Sequence, residues 1–150
     1  MYRRILVAFD GSPESRLAVA ECSNLIQVSG REIHLVCVIH DPSPYLLAGE
    51  FVPEPALAVD RSRMEADLKE AAAQLQQRGF TVVNHLEEGE PVDVIARMCN
   101  ALGIDLVILG HRRSKKFAFR WWRSAMDTMI SDRVRCSILI AGDQPAAQQS

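Results

Sequence analysis

The sequence predicts an α/β protein built on one five-stranded parallel sheet that is doubly wound, with helices on both faces. Three observations carry this. Short apolar runs of strand length alternate with longer stretches of helical period. The helical stretches tend to open near Pro and to close on Gly. The order reads β-α-β-α-β-α-β-α-β with no internal repeat and no second composition, so one domain over 1–150 is expected.

The first run, RILVAF at Arg4–Phe9, has no polar alternation, as in a strand covered on both sides. Ser12 suits an N-cap and Pro13 a first helical position. The following helix is expected to turn Leu17, Ala20, Cys22, Leu25 and Ile26 inward and to stop at Gly30. Ile33–Ile39 is the second strand. Residues 41–59 hold four prolines and read as a long loop, a type that is usually functional or mobile. A helix over Asp60–Arg78 carries the stripe Met64, Leu68, Ala71, Ala72 and Leu75 and ends at Gly79. Phe80–Leu86 is a weaker third strand. Glu90-Pro91 opens a helix with Val92, Ile95, Ala96, Cys99 and Leu102 inward, closed by Gly103. Ile104–Leu109 is the fourth strand. A helix from Ser124 carries Met126, Met129, Ile130 and Val134. Ser137–Ala141 is the fifth strand, and 142–150 is expected to be a flexible tail.

Composition excludes several classes. No apolar run reaches the length of a membrane span, and the start lacks the pattern of a secretory signal, so a cytoplasmic protein without a transmembrane segment is expected. Cys22, Cys37, Cys99 and Cys136 are widely spaced, lack a Cys-x-x-Cys pair, and each falls in an apolar pattern; reduced core thiols are expected. With His34, His40, His85 and His111 they form no metal spacing, so no metal is expected. Glu87, Glu88 and Glu90 read as a solvated acidic turn rather than a catalytic group.

One segment departs from the rest. Between the fourth strand and the last helix, Gly110–Ala125 reads GHRRSKKFAFRWWRSA. It carries Arg112, Arg113, Lys115, Lys116, Arg120 and Arg123, four aromatics (Phe117, Phe119, Trp121, Trp122) and no acid. Those six are over a third of the 17 basic residues; set against 19 acidic ones, the remainder of the chain is acidic. A local anionic partner is implied, and general nucleic-acid binding is not expected. In a doubly wound sheet, ligands sit beyond the carboxyl ends of the strands where the strand order reverses. If that order is 3-2-1-4-5, Asp10–Ser12 and Gly110–Ser124 face each other there.

Taken together and in this order, RILVAFDGSPES, HLVCVIHDP, EGEPVDVIARMCNALGIDLVILG and SAMDTMISDRVRCSILIA resemble the universal stress protein family over nearly the whole length. The resemblance implies the adenine-nucleotide alpha-hydrolase-like fold with strand order 3-2-1-4-5. In nucleotide-binding members, Gly-x-x-Gly, nine further residues, then Gly-Ser or Gly-Thr wrap the phosphates; an Asp after the first strand and a backbone group after the second hold the adenosine. By this resemblance Asp10 matches the Asp, Val38 the backbone contact, Gly110 the first glycine and Ser124 the final serine. Arg113 stands at the second glycine and Arg123 at the third. Ser12 is a further candidate contact, although capping its helix is a complete account of it.

Glycine at such positions permits positive φ and lets backbone N–H groups close on a phosphate; arginine does not. The resemblance then implies a non-catalytic stress-response or regulatory protein with weakened or absent ATP binding, and no appreciable ATPase activity. The alternative is that Arg113 and Arg123 grip the phosphate of AMP or ATP through their guanidinium groups. A third reading makes the segment a docking patch for an acidic partner, with Trp121 and Trp122 as anchors and Arg112, Lys115, Lys116 and Arg120 around them. Contact with a membrane surface or with single-stranded nucleic acid also suits such a mixture, and the plain account is aromatics tucked into the fold with solvated charges. Family members commonly pair their last strand with a second copy, so a homodimer through Ser137, Ile138, Leu139, Ile140 and Ala141 is expected; an exposed apolar strand edge agrees.

Overall fold

A computed structural model describes residues 2–9, 13–25, 31–39, 54–110 and 133–141. Within these, β1 is Arg4–Ala8, α1 Pro13–Leu25, β2 Glu32–Ile39, α2 Glu54–Gln77, β3 Thr81–Glu88, α3 Pro91–Leu102, β4 Leu106–Gly110 and β5 Ser137–Ala141. All pairings are parallel, in the order β3-β2-β1-β4-β5. The expected fold class and strand order are therefore those observed.

Alternation along each strand sorts side chains to two faces. On one, Ile5, Val7, Leu35 and Ile108 pack against Ala18 and Cys22 of α1 and Leu68 and Leu75 of α2. On the other, Leu6, Val36, Val107 and Leu109 pack against Val92, Ile95 and Cys99 of α3. Ile5, Leu6 and Val7 have no exposed surface, which is why β1 reads as an unbroken apolar run.

The helix starts and stops follow local chemistry. Glu90, in extended conformation, accepts a hydrogen bond from the Asp93 amide (3.2 Å) and caps α3; Pro91 occupies its first position, where a missing N–H loses nothing. At the other end Gly103 takes φ 64°, and the Ile104 amide turns back to the Cys99 carbonyl (3.0 Å). A side chain at Gly103 would be strained by that φ and would press on the Arg4 guanidinium.

Three boundaries and one helix face differ most from expectation. Helix α2 begins at Glu54, so the loop read over 41–59 is helical in its last six residues; Pro55 falls in the first turn, where proline is tolerated. Strand β3 runs on through Glu87 and Glu88, which pair with Val38 and Ile39. Strand β4 starts at Leu106 because Ile104 and Asp105 complete the turn out of α3. In α1, Ser15, Ala18, Val19 and Cys22 are buried while Ala20 is exposed and Leu17 half-buried, so the expected stripe was rotated around the helix. The i, i+3, i+4, i+7 set that faces the sheet includes the small Ser15, which the apolar pattern skipped. Residues 1, 10–12, 26–30, 40–53, 111–132 and 142–150 lie outside the described residues, as do the expectations for the Ser12 cap, Ile26, the stop at Gly30, the last helix before Val134, and the tail.

Asp105 joins three strands at their amino ends. Its carboxylate accepts the Arg3 amide (2.8 Å) and the Arg4 amide (3.1 Å). Its own amide donates to the Arg4 carbonyl (3.0 Å), and its carbonyl accepts the Ser137 amide (3.3 Å). Removing the carboxylate leaves two amides at an exposed position where water replaces it in part. Asp105→Ala is expected to destabilise the fold by about 1–2 kcal/mol, read as a lower urea midpoint with an unchanged slope.

Candidate functional site at the carboxyl ends of β1 and β4

Strand β1 pairs with β2 on one side and β4 on the other. The connection leaving β1 leads to β2, and the one leaving β4 leads to β5, so the chain departs in opposite directions from two adjacent strand ends. This is the crevice at which doubly wound sheets hold ligands. The Phe9 amide donates to the Val36 carbonyl (2.8 Å), extending the β1–β2 contact to the rim. Val38 lies two residues further along β2, half-buried and packed against the α3-side core. Gly110 is the last residue of β4 and pairs with Ala141.

Of the candidate site residues, Val38 and Gly110 are thus brought to the carboxyl edge. Asp10, Ser12, Arg113, Arg123 and Ser124 lie outside the described residues, and so do Arg112, Lys115, Lys116, Arg120, Trp121 and Trp122. One cation at this rim was not singled out from sequence: the Arg16 guanidinium stands 6.0 Å from the centre of the Phe9 ring. It is already paired with Asp67 (3.6 Å), which ties α1 to α2.

The acidic cluster is more ordered than a solvated turn. Glu87 pairs with Arg97 (3.7 Å), Glu88 pairs with Arg61, and Glu90 caps α3. The carboxylates remain at the surface, so each pair is worth little by itself.

A polar array inside the sheet was not singled out from the sequence. His34, on β2 and almost fully buried, has Nε2 2.5 Å from Glu32 Oε1 and Nδ1 2.9 Å from His85 Nε2 on β3. The rings stack with centres 5.1 Å apart. Both ring nitrogens of His34 thus have a hydrogen-bonding partner. The three groups form a line rather than converging on a point, and they lie away from the β1–β4 crevice; among the described residues no cluster has a metal-binding arrangement. The signal that existed was the period-two placement of Glu32 and His34 in an otherwise apolar strand.

At the other end of the sheet, β5 closes the strand order. Ala141 is buried, Ile138 and Leu139 are half-buried, and Ile140 is 43% exposed. No helix among the described residues is long and apolar enough to cross a membrane.

Comparison with known proteins accounts for this architecture. The model of the universal stress protein family matches residues 1–140. The chain belongs to that family. No curated protein matches it by sequence. Among solved structures, it resembles a universal stress protein family protein from Burkholderia pseudomallei at 21% identity and TM-score 0.68, covering 93% of this chain and 95% of that one. A family protein from Arabidopsis thaliana with AMP bound matches at 13% identity and TM-score 0.67, over 99% and 96% of the two chains. A universal stress protein in complex with cAMP matches at 19% identity and TM-score 0.62, over 94% and 97%. At these identities the likeness is one of fold.

Burial and the neighbouring His34 lower the pKa of His85 from 6.5, against a smaller opposite effect of Glu87. The unfolded chain therefore binds the proton more readily than the folded one. Stability is full above pH 6.5 and declines as the pH falls through 6.5 toward the lowered value. The thermal midpoint is expected to drop over that window in wild type and to drop less in His85→Gln, as followed by circular dichroism.

Proposed function

We propose that the protein is a non-catalytic regulatory stress protein that takes an adenosine monophosphate unit in the β1–β4 crevice and has lost strong ATP binding. The observation that supports this is the strand order, which puts the carboxyl ends of β1 and β4 side by side; in the sequence Asp10 follows β1 and the segment to Ser124 follows β4. Family relatives with AMP and with cAMP bound support the ligand class. The substitutions at 113 and 123 support the preference. A triphosphate is held by many backbone amides, which glycines expose; a single phosphate is satisfied by one or two guanidinium groups. On this reading Asp10 accepts the ribose hydroxyls, the Val38 backbone meets the adenine, and Ser124 joins Arg113 and Arg123 at the phosphate.

Titration of nucleotide-free protein in a calorimeter tests this. AMP is expected to bind saturably with a dissociation constant on the order of micromolar, at least tenfold tighter than ATP. Asp10→Ala or Arg113→Ala is expected to weaken AMP by roughly tenfold or more. No heat with either nucleotide would remove the reading and leave the basic, aromatic segment as a docking surface for an acidic partner.

We also infer a two-fold homodimer through β5. Its support is the position of Ser137–Ala141 at the end of the strand order and the exposure of Ile140 there. Sedimentation is expected to show a dimer for wild type and a shift toward monomer for Ile140→Lys; a wild-type monomer at all concentrations would refute it.

A further inference from the structure

Cys99 and Cys136 are far apart in the sequence and meet in the fold. Cys99 lies on the buried face of α3, and Cys136, half-buried, packs against the same core from the residue before β5. Two short links fix this meeting. The Cys99 carbonyl accepts the Ile104 amide (3.0 Å), and the next residue, Asp105, accepts the Ser137 amide at its carbonyl (3.3 Å). Each thiol influences the ionisation of the other, as expected of two neighbouring sulfurs. Cys22 and Cys37 belong to the core on the opposite face of the sheet.

We propose that Cys99 and Cys136 form a modification site that closes to an intramolecular disulfide under a two-electron oxidant of the peroxide class. Cys136 reacts first, because it is the more exposed of the two. The Cys136 thiolate attacks one peroxide oxygen, the O–O bond breaks, and the departing hydroxide takes up a proton and leaves as water. Cys136 is then a sulfenic acid. The Cys99 sulfur attacks the Cys136 sulfur, the S–O bond breaks, and the hydroxyl leaves with the thiol proton as a second water. In total two thiols and one hydrogen peroxide become one disulfide and two waters; the sulfur pair loses two electrons and the peroxide gains them.

Burial pushes both thiols above their ordinary range, Cys99 to about 12. The reactive thiolate is therefore scarce near neutrality, and its fraction grows about tenfold per pH unit below the raised pKa. The pair is suited to sustained rather than brief oxidation, and the rate of closure rises with pH.

The experiment treats the purified full-length protein with excess hydrogen peroxide at mildly alkaline pH, alkylates it after denaturation and maps its peptides with and without reduction. The expected product is a single polypeptide, not cross-linked to a second copy, that has lost the mass of two hydrogens, with the Cys99 and Cys136 peptides linked and Cys22 and Cys37 alkylated. Its thermal midpoint rises by several degrees and returns on reduction. Cys136→Ser is expected to abolish the linked peptide, and the wild-type map stands even if that variant folds poorly. Cys99 and Cys136 both remaining alkylatable in a folded protein would overturn the proposal. So would a Cys136 disulfide between two chains, or a Cys99–Cys136 link that forms only after the native circular dichroism is lost.

Discussion

The register between β1 and β4 is the constraint on which the rest of the molecule depends, and Asp105 is where it is set. Its side chain and main chain hold the start of β1, and its carbonyl holds the start of β5. A one-residue slip would exchange the faces of every side chain on β1. Because Ile5, Leu6 and Val7 are buried on both faces, such a slip has no register in which it is tolerated without repacking both cores. Arg4 adds a second tie, its guanidinium donating to the Leu102 carbonyl (3.0 Å) at the open end of α3. These contacts sit at the amino ends of the strands, so the carboxyl ends are free to carry the crevice.

Among the described residues the two faces of the sheet are covered unequally. On one side α1 lies over β1, β4 and β5 and α2 over β2 and β3, and Val82 and Leu86 join that core. On the other side α3 packs over β1 and β2, and β3 presents Val83, 39% exposed, with His85 half-buried beside it. This uneven cover explains why a polar line can exist inside the sheet. His34 is buried under α3, but its two ring nitrogens lead outward, one to Glu32 and one to His85, each closer to solvent. Both ring nitrogens of His34 have partners within the protein, which is the condition for a buried imidazole.

The fold was legible because its signals are local. Pro91 and Gly103 bracket α3, Gly79 ends α2 with φ 90°, and the unbroken apolar runs of β1 and β4 announce strands covered on both sides. Errors fell where the signal was ambiguous: Pro55 looked like loop but occupies a first helical turn, and Ser15 is polar yet faces the sheet. The site was legible only as a place. The order of strands brings the carboxyl ends of β1 and β4 together, with Gly110 ending β4 and Val38 near the end of the neighbouring β2, while the charged residues that distinguish this chain belong to segments outside the described residues. The pairs His34–His85 and Cys99–Cys136 were beyond sequence reasoning for a different reason. Each joins residues far apart in the chain, and no period or motif announces such a meeting.

The two properties proposed for the chain bear on one another through geometry. A Cys99–Cys136 bond would close a ring through residues 99–136, and that ring contains Gly110, Arg113, Arg123 and Ser124. The entropy removed from the unfolded chain by a ring of that size corresponds to about 4 kcal/mol of stabilisation in the absence of strain. Inside the folded protein the same bond restrains little that is not already restrained, since both ends are held by packing on α3 and by the β4–β5 pairing. Closure cost varies only with the logarithm of loop length, so the covalent link adds almost nothing to the order of residues near the middle of the ring. Oxidation would therefore act on persistence of the fold under stress far more than on the affinity of the crevice.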